Sequence, residues 1–301
     1  MNRSFLLIML GAALWGTIGW FVKNLYYYGF TPMEVVTLRV TFTSIIMITY
    51  LLFTSPKTLK LIRFIDVRYF IGTGILSIIF FNFCMFTTIE LSTIPIATAL
   101  LYTAPAFVSI LSYFLFKESF TKIKVIALGG TLIGSCLVVG IIPLDLNNIP
   151  TVSIIFGLGS GLGYALYSIF SKYALRKYNS MSITAFTFIV ATVTLLPFFP
   201  YSEKLSLLFN IEVLFYAVGL GLFPTAIAYI VYTYGLKHTE ASKASILSTI
   251  EPVVATIIGI FVFHEAFTII QMIGMALIIS AVILMQYKKK ESIPRKMAVN
   301  D

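Results

Sequence analysis

Glu251 is the residue best placed to do chemistry. It stands in the segment STIEPVVAT, close to the middle of a long apolar run. A carboxylate at the centre of a membrane-crossing helix costs about 2.5–3.5 kcal/mol on insertion scales, so it demands a cavity, a partner, a bound cation or a proton. Pro252 follows it, lacks an N–H, and leaves carbonyls free nearby. Proton coupling and recognition of an amine are the chemistries open to such a group; the structural alternative is an acid tied to hydroxyls. Arg39 is the second charge inside an apolar run. It can snorkel on its long stem, pair with Glu34 one turn earlier, pair with Glu251, or meet an anionic group of a substrate.

The elements that must position these charges follow from composition. Of 301 residues, 59% are hydrophobic and 11% charged, with a mean hydropathy of +0.97. A soluble domain carries about 25% charged residues, so this chain cannot cover its own surface and must face lipid. Ten runs are long enough to cross about 30 Å of hydrocarbon as helices: 5–26, 34–54, 69–89, 94–116, 122–142, 153–173, 182–200, 212–234, 242–262 and 268–287. Strands are excluded because the runs are continuous rather than alternating, and an open sheet edge is unaffordable in lipid. The fold expected is an all-α membrane protein of ten transmembrane helices. Clusters such as Ser55-Pro56-Lys57, Asp145–Asn148 and Tyr201–Lys204 separate the runs.

The basic residues orient the spans. With the N-terminus inside, 18 of the 21 Lys and Arg residues fall on cytoplasmic ends and in the tail; Lys23 and Lys204 lie outside and Arg39 lies within a span. An even number of spans returns the tail, 291–301, to the cytoplasm. The localisation expected is the cell (inner) membrane with both termini cytoplasmic. The net charge of +9 is thus a topology signal, not a nucleic-acid surface.

The chain repeats itself. Shifted by 147, Pro105–Thr121 lands on Pro252–Thr268, with 7 of 17 positions identical, Pro, Glu and Thr among them. A shift of 149 pairs Trp15 with Tyr164, Phe21 with Phe170 and Lys23 with Lys172. Five spans per half is an odd number, so the second half enters from the opposite side and the repeat is inverted. Residues 1–147 form the first half and 148–290 the second. Such repeats exchange inward- and outward-open shapes around a midplane site. Polar and aromatic residues at repeat-related depths are the candidates to line that site: Trp15 with Tyr164, Asn82 with Tyr229, Tyr102 with Thr249, and Tyr232 one turn from Tyr229. Aromatic faces suit an ammonium group, although Tyr and Trp also fill cores and form interfacial belts.

The Leu14-Trp15-Gly16 start, Arg39 in the second span, and the two segments running from a mid-span proline to Glu-Phe-Thr resemble the ten-helix EamA branch of the drug/metabolite transporter superfamily, over residues 5–287. The resemblance implies a cavity walled by spans one, three, four, six, eight and nine, and a substrate among amino acids, their derivatives and other small metabolites, commonly moved outward. The function expected is secondary active transport by alternating access, with Trp15, Asn82, Tyr102, Tyr164, Tyr229, Tyr232, Thr249 and Glu251 in the cavity and Glu251 and Arg39 as coupling or charge-pair residues. A passive channel or lipid-handling protein is the competing reading, and a membrane enzyme a third.

The remaining residues point away from catalysis. His238 and His264 stand apart without an acid–base constellation. Cys84 and Cys136 lie in apolar runs and are too few for a thiolate zinc site. No Walker A pattern is present. Gly157, Gly159, Gly161 and Gly163, with Gly130 and Gly134, have the spacing of close helix contacts. Glu118 and Glu265 sit just before Thr121 and Thr268, which are placed to cap the next span; a structural role near the helix start and a gating role are the two readings of these acids. No cofactor or metal is expected; the partners expected are the bilayer and a small molecule, with no nucleic acid and with a homodimer left open.

Overall fold

A computed structural model of the chain describes residues 3–140 and 149–286. The 147/148 division, the Asp145–Asn148 loop and the basic tail lie outside them. The described residues contain ten helices long and apolar enough to span a bilayer: α1 (Arg3–Tyr27), α2 (Pro32–Thr54), α3 (Phe64–Leu91), α4 (Ile94–Phe116), α5 (Lys122–Val139), α6 (Thr151–Ala174), α7 (Ser180–Phe198), α8 (Ile211–Lys237), α9 (Ala241–Phe263) and α10 (Ile269–Gln286). Their bounds differ by a few residues from the hydropathy runs. The start of α1 and the end of α10 share one end of the bundle, here called basal; the other is apical.

Polar residues at the helix starts satisfy N–H groups that hydrocarbon cannot. The Thr121 hydroxyl accepts from the Lys124 N–H at the start of α5. The Asn179 and Asn210 side chains do the same for α7 and α8. At α10, Thr268 and Gln271 cap each other reciprocally. The outward faces carry residues such as Phe114, Ile126, Val193 and Phe261, all exposed, as a lipid-facing surface requires.

Glycine permits the closest crossings. A Cβ on Gly134 of α5 would meet the Gly274 carbonyl of α10 at 2.8 Å, and one on Gly274 would meet the Gly134 carbonyl at 2.7 Å. The glycines of α6 pack in the same way: Gly157 and Gly161 against Leu100 of α4, Gly163 against Phe81 of α3.

The two halves share irregularities of backbone, not merely composition. α4 is broken between Ile94–Leu101 and Ala104–Phe116, and α9 between Ala241–Leu247 and Ile250–Phe263. α3 and α8 each contain a π-helical stretch, Gly72–Ile79 and Leu222–Ile227. The C-caps Lys117 and His264 are both left-handed, with φ of 56° and 54°. Each pair overlaps under the 147 shift. The first and sixth spans depart from this symmetry, since α1 is interrupted at Thr17 while α6 is continuous. Broken spans and π turns leave backbone groups unsatisfied at mid-depth, which is tolerable only where the backbone lines a cavity or meets protein.

Candidate functional site

Glu251 occupies the first turn of the half-helix Ile250–Phe263, just past the break in α9. In that turn the Glu251 N–H bonds to the Ser248 carbonyl at 3.0 Å and Pro252 has no N–H to offer. The Glu251 carboxylate accepts a 2.7 Å hydrogen bond from the Tyr164 hydroxyl of α6. Among the described residues no Lys or Arg nitrogen lies within 4.0 Å of it.

Arg39 neither snorkels nor pairs with either expected acid. It is 6% exposed. Its Nε donates to Thr225 Oγ1 at 2.9 Å, and its guanidinium lies 5.9 Å from the centroid of the Tyr229 ring. Thr225 in turn donates to the Leu220 carbonyl, five residues back along the π stretch of α8. Glu34 is spent at the start of α2, where it accepts from the Thr31 N–H and approaches Lys204 at 3.8 Å. The hydroxyl and the ring face supply the polar surroundings that the sequence reading sought in a carboxylate.

Trp15 is the hub of an aromatic cluster. Its ring centroid lies 4.8 Å from that of Tyr232, 5.0 Å from that of Tyr229 and 5.9 Å from that of Tyr164. Gly16 makes this possible: a Cβ there would meet the Glu251 carbonyl at 2.8 Å, so only glycine lets α1 lie this close to α9. Two hydroxyl pairs, Tyr167 with Thr233 and Ser168 with Tyr232, each 2.7 Å, join α6 to α8 on the basal side of the cluster. A cavity of about 10 Å³ remains, lined by Trp15, Ser77, Phe81, Tyr164, Tyr167 and Tyr229. That is room for about one water. Among the described residues the buried Trp15 indole N–H and Ser77 hydroxyl have no hydrogen-bond partner, so the pocket offers unused polar atoms beside ring faces.

Of the residues singled out in the sequence, Trp15, Tyr164, Tyr229, Tyr232, Glu251 and Arg39 come together, but Tyr232 and Glu251, expected in the cavity, stand behind its lining. Tyr102 is buried at the break in α4 but does not line the cavity. Asn82 and Thr249 spend polar groups on their own helices, donating to Ile78 O and Ile246 O, and neither lines the cavity. Tyr167, Phe81, Ser77 and Thr225 were missed. Tyr164, Tyr167, Ser168 and Ser171 form one polar stripe at helical spacing, a signal that would have found Tyr167. Glu118 is a further correction: its carboxylate serves not α5, which follows it, but the start of α9.

A ten-helix bundle with inverted halves, broken spans and a half-buried acid at the break defines a carrier-type membrane protein. Residues 2–140 and 151–287 match the EamA-like transporter family, and the chain belongs to that family. It is 32% identical over 286 residues to an uncharacterized transporter of Archaeoglobus fulgidus, covering 92% of this chain and 94% of that one. It is 24% identical over 296 residues to the uncharacterized inner membrane transporter YicL of Salmonella typhimurium, covering 94% and 95%. A crystal structure superposes with a TM-score of 0.74 at 19% identity, over 93% of this chain and 95% of that one, and so shares its fold. The protein is a multi-pass membrane transporter.

Proposed function

We propose that the chain is a secondary active transporter that moves a small polar metabolite such as an amino acid or amine, chemically unchanged, by alternating access around the cavity beside Trp15 and Tyr164, the tyrosine that holds Glu251. Export is the direction proposed. The observation that carries this is Glu251 itself: a carboxylate at the helix break held by Tyr164, which packs on Trp15, and, among the described residues, without an ion-pair partner. A group so placed is free to take a proton or an ammonium in turn. The basal end faces the cytoplasm in this reading, because the basic residues gather there while Lys23 and Lys204 are apical. Residues 1–147 and 148–290 act as the two moving halves.

Flux in proteoliposomes tests this. Purified protein is screened against amino acids, amines and carboxylates while internal pH is monitored. Wild type moves one class with protons, and Glu251→Gln loses the proton signal while still binding that class. Normal coupling in Glu251→Gln would remove Glu251 from the mechanism, and no movement of any compound would remove the substrate class proposed.

A further inference from the structure

The repeat relates two pairs of charged residues whose members do different things. The first pair is Glu118 and Glu265, mates under the 147 shift. The Glu118 carboxylate accepts from the Ala241 N–H at 2.7 Å, from the Ser242 N–H at 3.1 Å and from the Ser242 hydroxyl. It is 9% exposed, and Ala241 is fully buried. Ala104–Phe116 thereby packs against Ala241–Leu247, closing α4 on α9 at the basal end. At the apical end the equivalent contact would join Glu265 to Ile94. Glu265 is exposed instead, and Ile94 is 64% exposed.

The second pair is Lys172 and Lys23, mates under the 149 shift. Lys172 donates to the Leu236 carbonyl at 2.8 Å and to the Thr239 carbonyl, tying α6 to the basal end of α8. The matching carbonyls on α3 are those of Ile89 and Ser92. Lys23 does not reach them; its ammonium sits 3.8 Å from the centroid of the Phe263 ring. Two independent charges are thus engaged at the basal end, and both mates are disengaged at the apical end.

We infer that these are two exchangeable latches: Glu118 and Lys172 hold the basal gate shut in this state, and Glu265 and Lys23 hold the apical gate shut in the opposite one. Each closed gate satisfies helix-end groups with a buried charge, a carboxylate on N–H groups and an ammonium on carbonyls. Opening one gate exposes those groups to water while the other gate forms. The inference rests on the alternating-access reading given above. It adds a bias to it. Pro95 stands where Ser242 stands in the other half and has neither an N–H nor a hydroxyl. The apical carboxylate therefore gains only the Ile94 N–H, and the basally closed state is the favoured one at rest.

Thiol accessibility tests the latches without a substrate. In a background of Cys84→Ser and Cys136→Ser, Ser245→Cys reports on the basal half of α9, and Thr98→Cys on its apical mate in α4. Membrane-impermeant maleimide is added to one face at a time. Glu118→Gln is expected to speed basal labelling of Ser245→Cys by about tenfold and to slow apical labelling of Thr98→Cys, since removing hydrogen bonds to a charged group shifts an equilibrium by at least that factor. Lys172→Gln moves both rates in the same directions. Unchanged rates, or both reporters speeding up together as in a loosened fold, would overturn the latch. Should Glu118→Gln fail to insert, Ala266→Cys with Ile94→Cys and a short bifunctional thiol reagent reads the apical gate in a chain that keeps all four charges: a crosslink that forms supports the exchange, and none at any reagent concentration overturns it. Reciprocal labelling without flux of any compound would count against the transport reading and leave the latches standing.

Discussion

The breaks in α4 and α9 are the same piece of backbone used twice, yet only one carries a charge. In α9 the half-helix begins Ile250-Glu251-Pro252; in α4 it begins Ala104-Pro105, with Ala104 at the Glu251 position. The proline and the interruption belong to the architecture. The acid does not, since the fold builds the α4 break without one. Symmetry therefore accounts for the shape of the site, and departures from symmetry account for its chemistry. The same division holds for Trp15 and Tyr164, which share a depth but not a function: the tyrosine hydroxyl binds Glu251, and the indole N–H points to no acceptor.

Making the two breaks alike gives the largest expected effect. Glu251→Ala should abolish proton-linked flux while the protein still reaches the membrane in normal amount, read as flux per inserted molecule. Retained coupling would mean that the asymmetry between the breaks is incidental. The reverse transplant, Ala104→Glu, places a second acid where no tyrosine awaits it. Its expected cost is about 2.5–3.5 kcal/mol, read as a lower yield of folded protein and a lower melting temperature in detergent; an unchanged melting temperature would show that the α4 break already holds water. Tyr164→Phe sharpens the comparison by removing the tyrosine hydroxyl that donates to Glu251. The expected loss is about 1.5–3 kcal/mol of stability at neutral pH, read by thermal unfolding, with no matching loss when Tyr164→Phe is added to Glu251→Ala. The smallest effect concerns where the two broken spans start. Burial of Glu240, at the head of α9, works against its ionisation, but the ammonium groups of Lys124 and Lys243, 2.8 and 3.0 Å from its carboxylate, outweigh this and hold it below its usual 4.5. A depressed carboxylate stabilises the fold above its ordinary value and loses that contribution as pH falls through the lowered one. Unfolding midpoints measured below pH 4.5 should therefore fall less for Glu240→Gln than for wild type. Thr93, at the head of α4, has no charge to lose.

Much of this architecture was legible before any coordinates. Hydrocarbon tolerates only long apolar helices, so the ten spans declare themselves, and the Pro–Glu–Phe–Thr register exposes the repeat. The break in α9, at Ser248 and Thr249, was not read; Pro252 signalled only a missing N–H. The π stretches were not legible either, because a π turn has no residue signature of its own; Thr225 is an ordinary threonine until its hydroxyl is seen on Leu220 O. Nor was the partner of Glu118, which lies 123 residues away. Local caps such as Thr121 could be read directly, whereas a cap lent by another span depends on how the halves pack. For Arg39 the sequence left snorkelling, an acid and a substrate anion open; the threonine and the ring that form its polar face carry no sequence signal.

α5 and α10 are repeat mates that also touch, closing on each other at Gly134 and Gly274. In the alternating access proposed above, a contact between two elements and its counterpart between their mates exchange, one lost as the other is gained. A contact between an element and its own mate has no such counterpart. The exchange would carry it onto itself, which makes the α5–α10 seam, in that proposal, the line about which the rest of the molecule turns while it stays still.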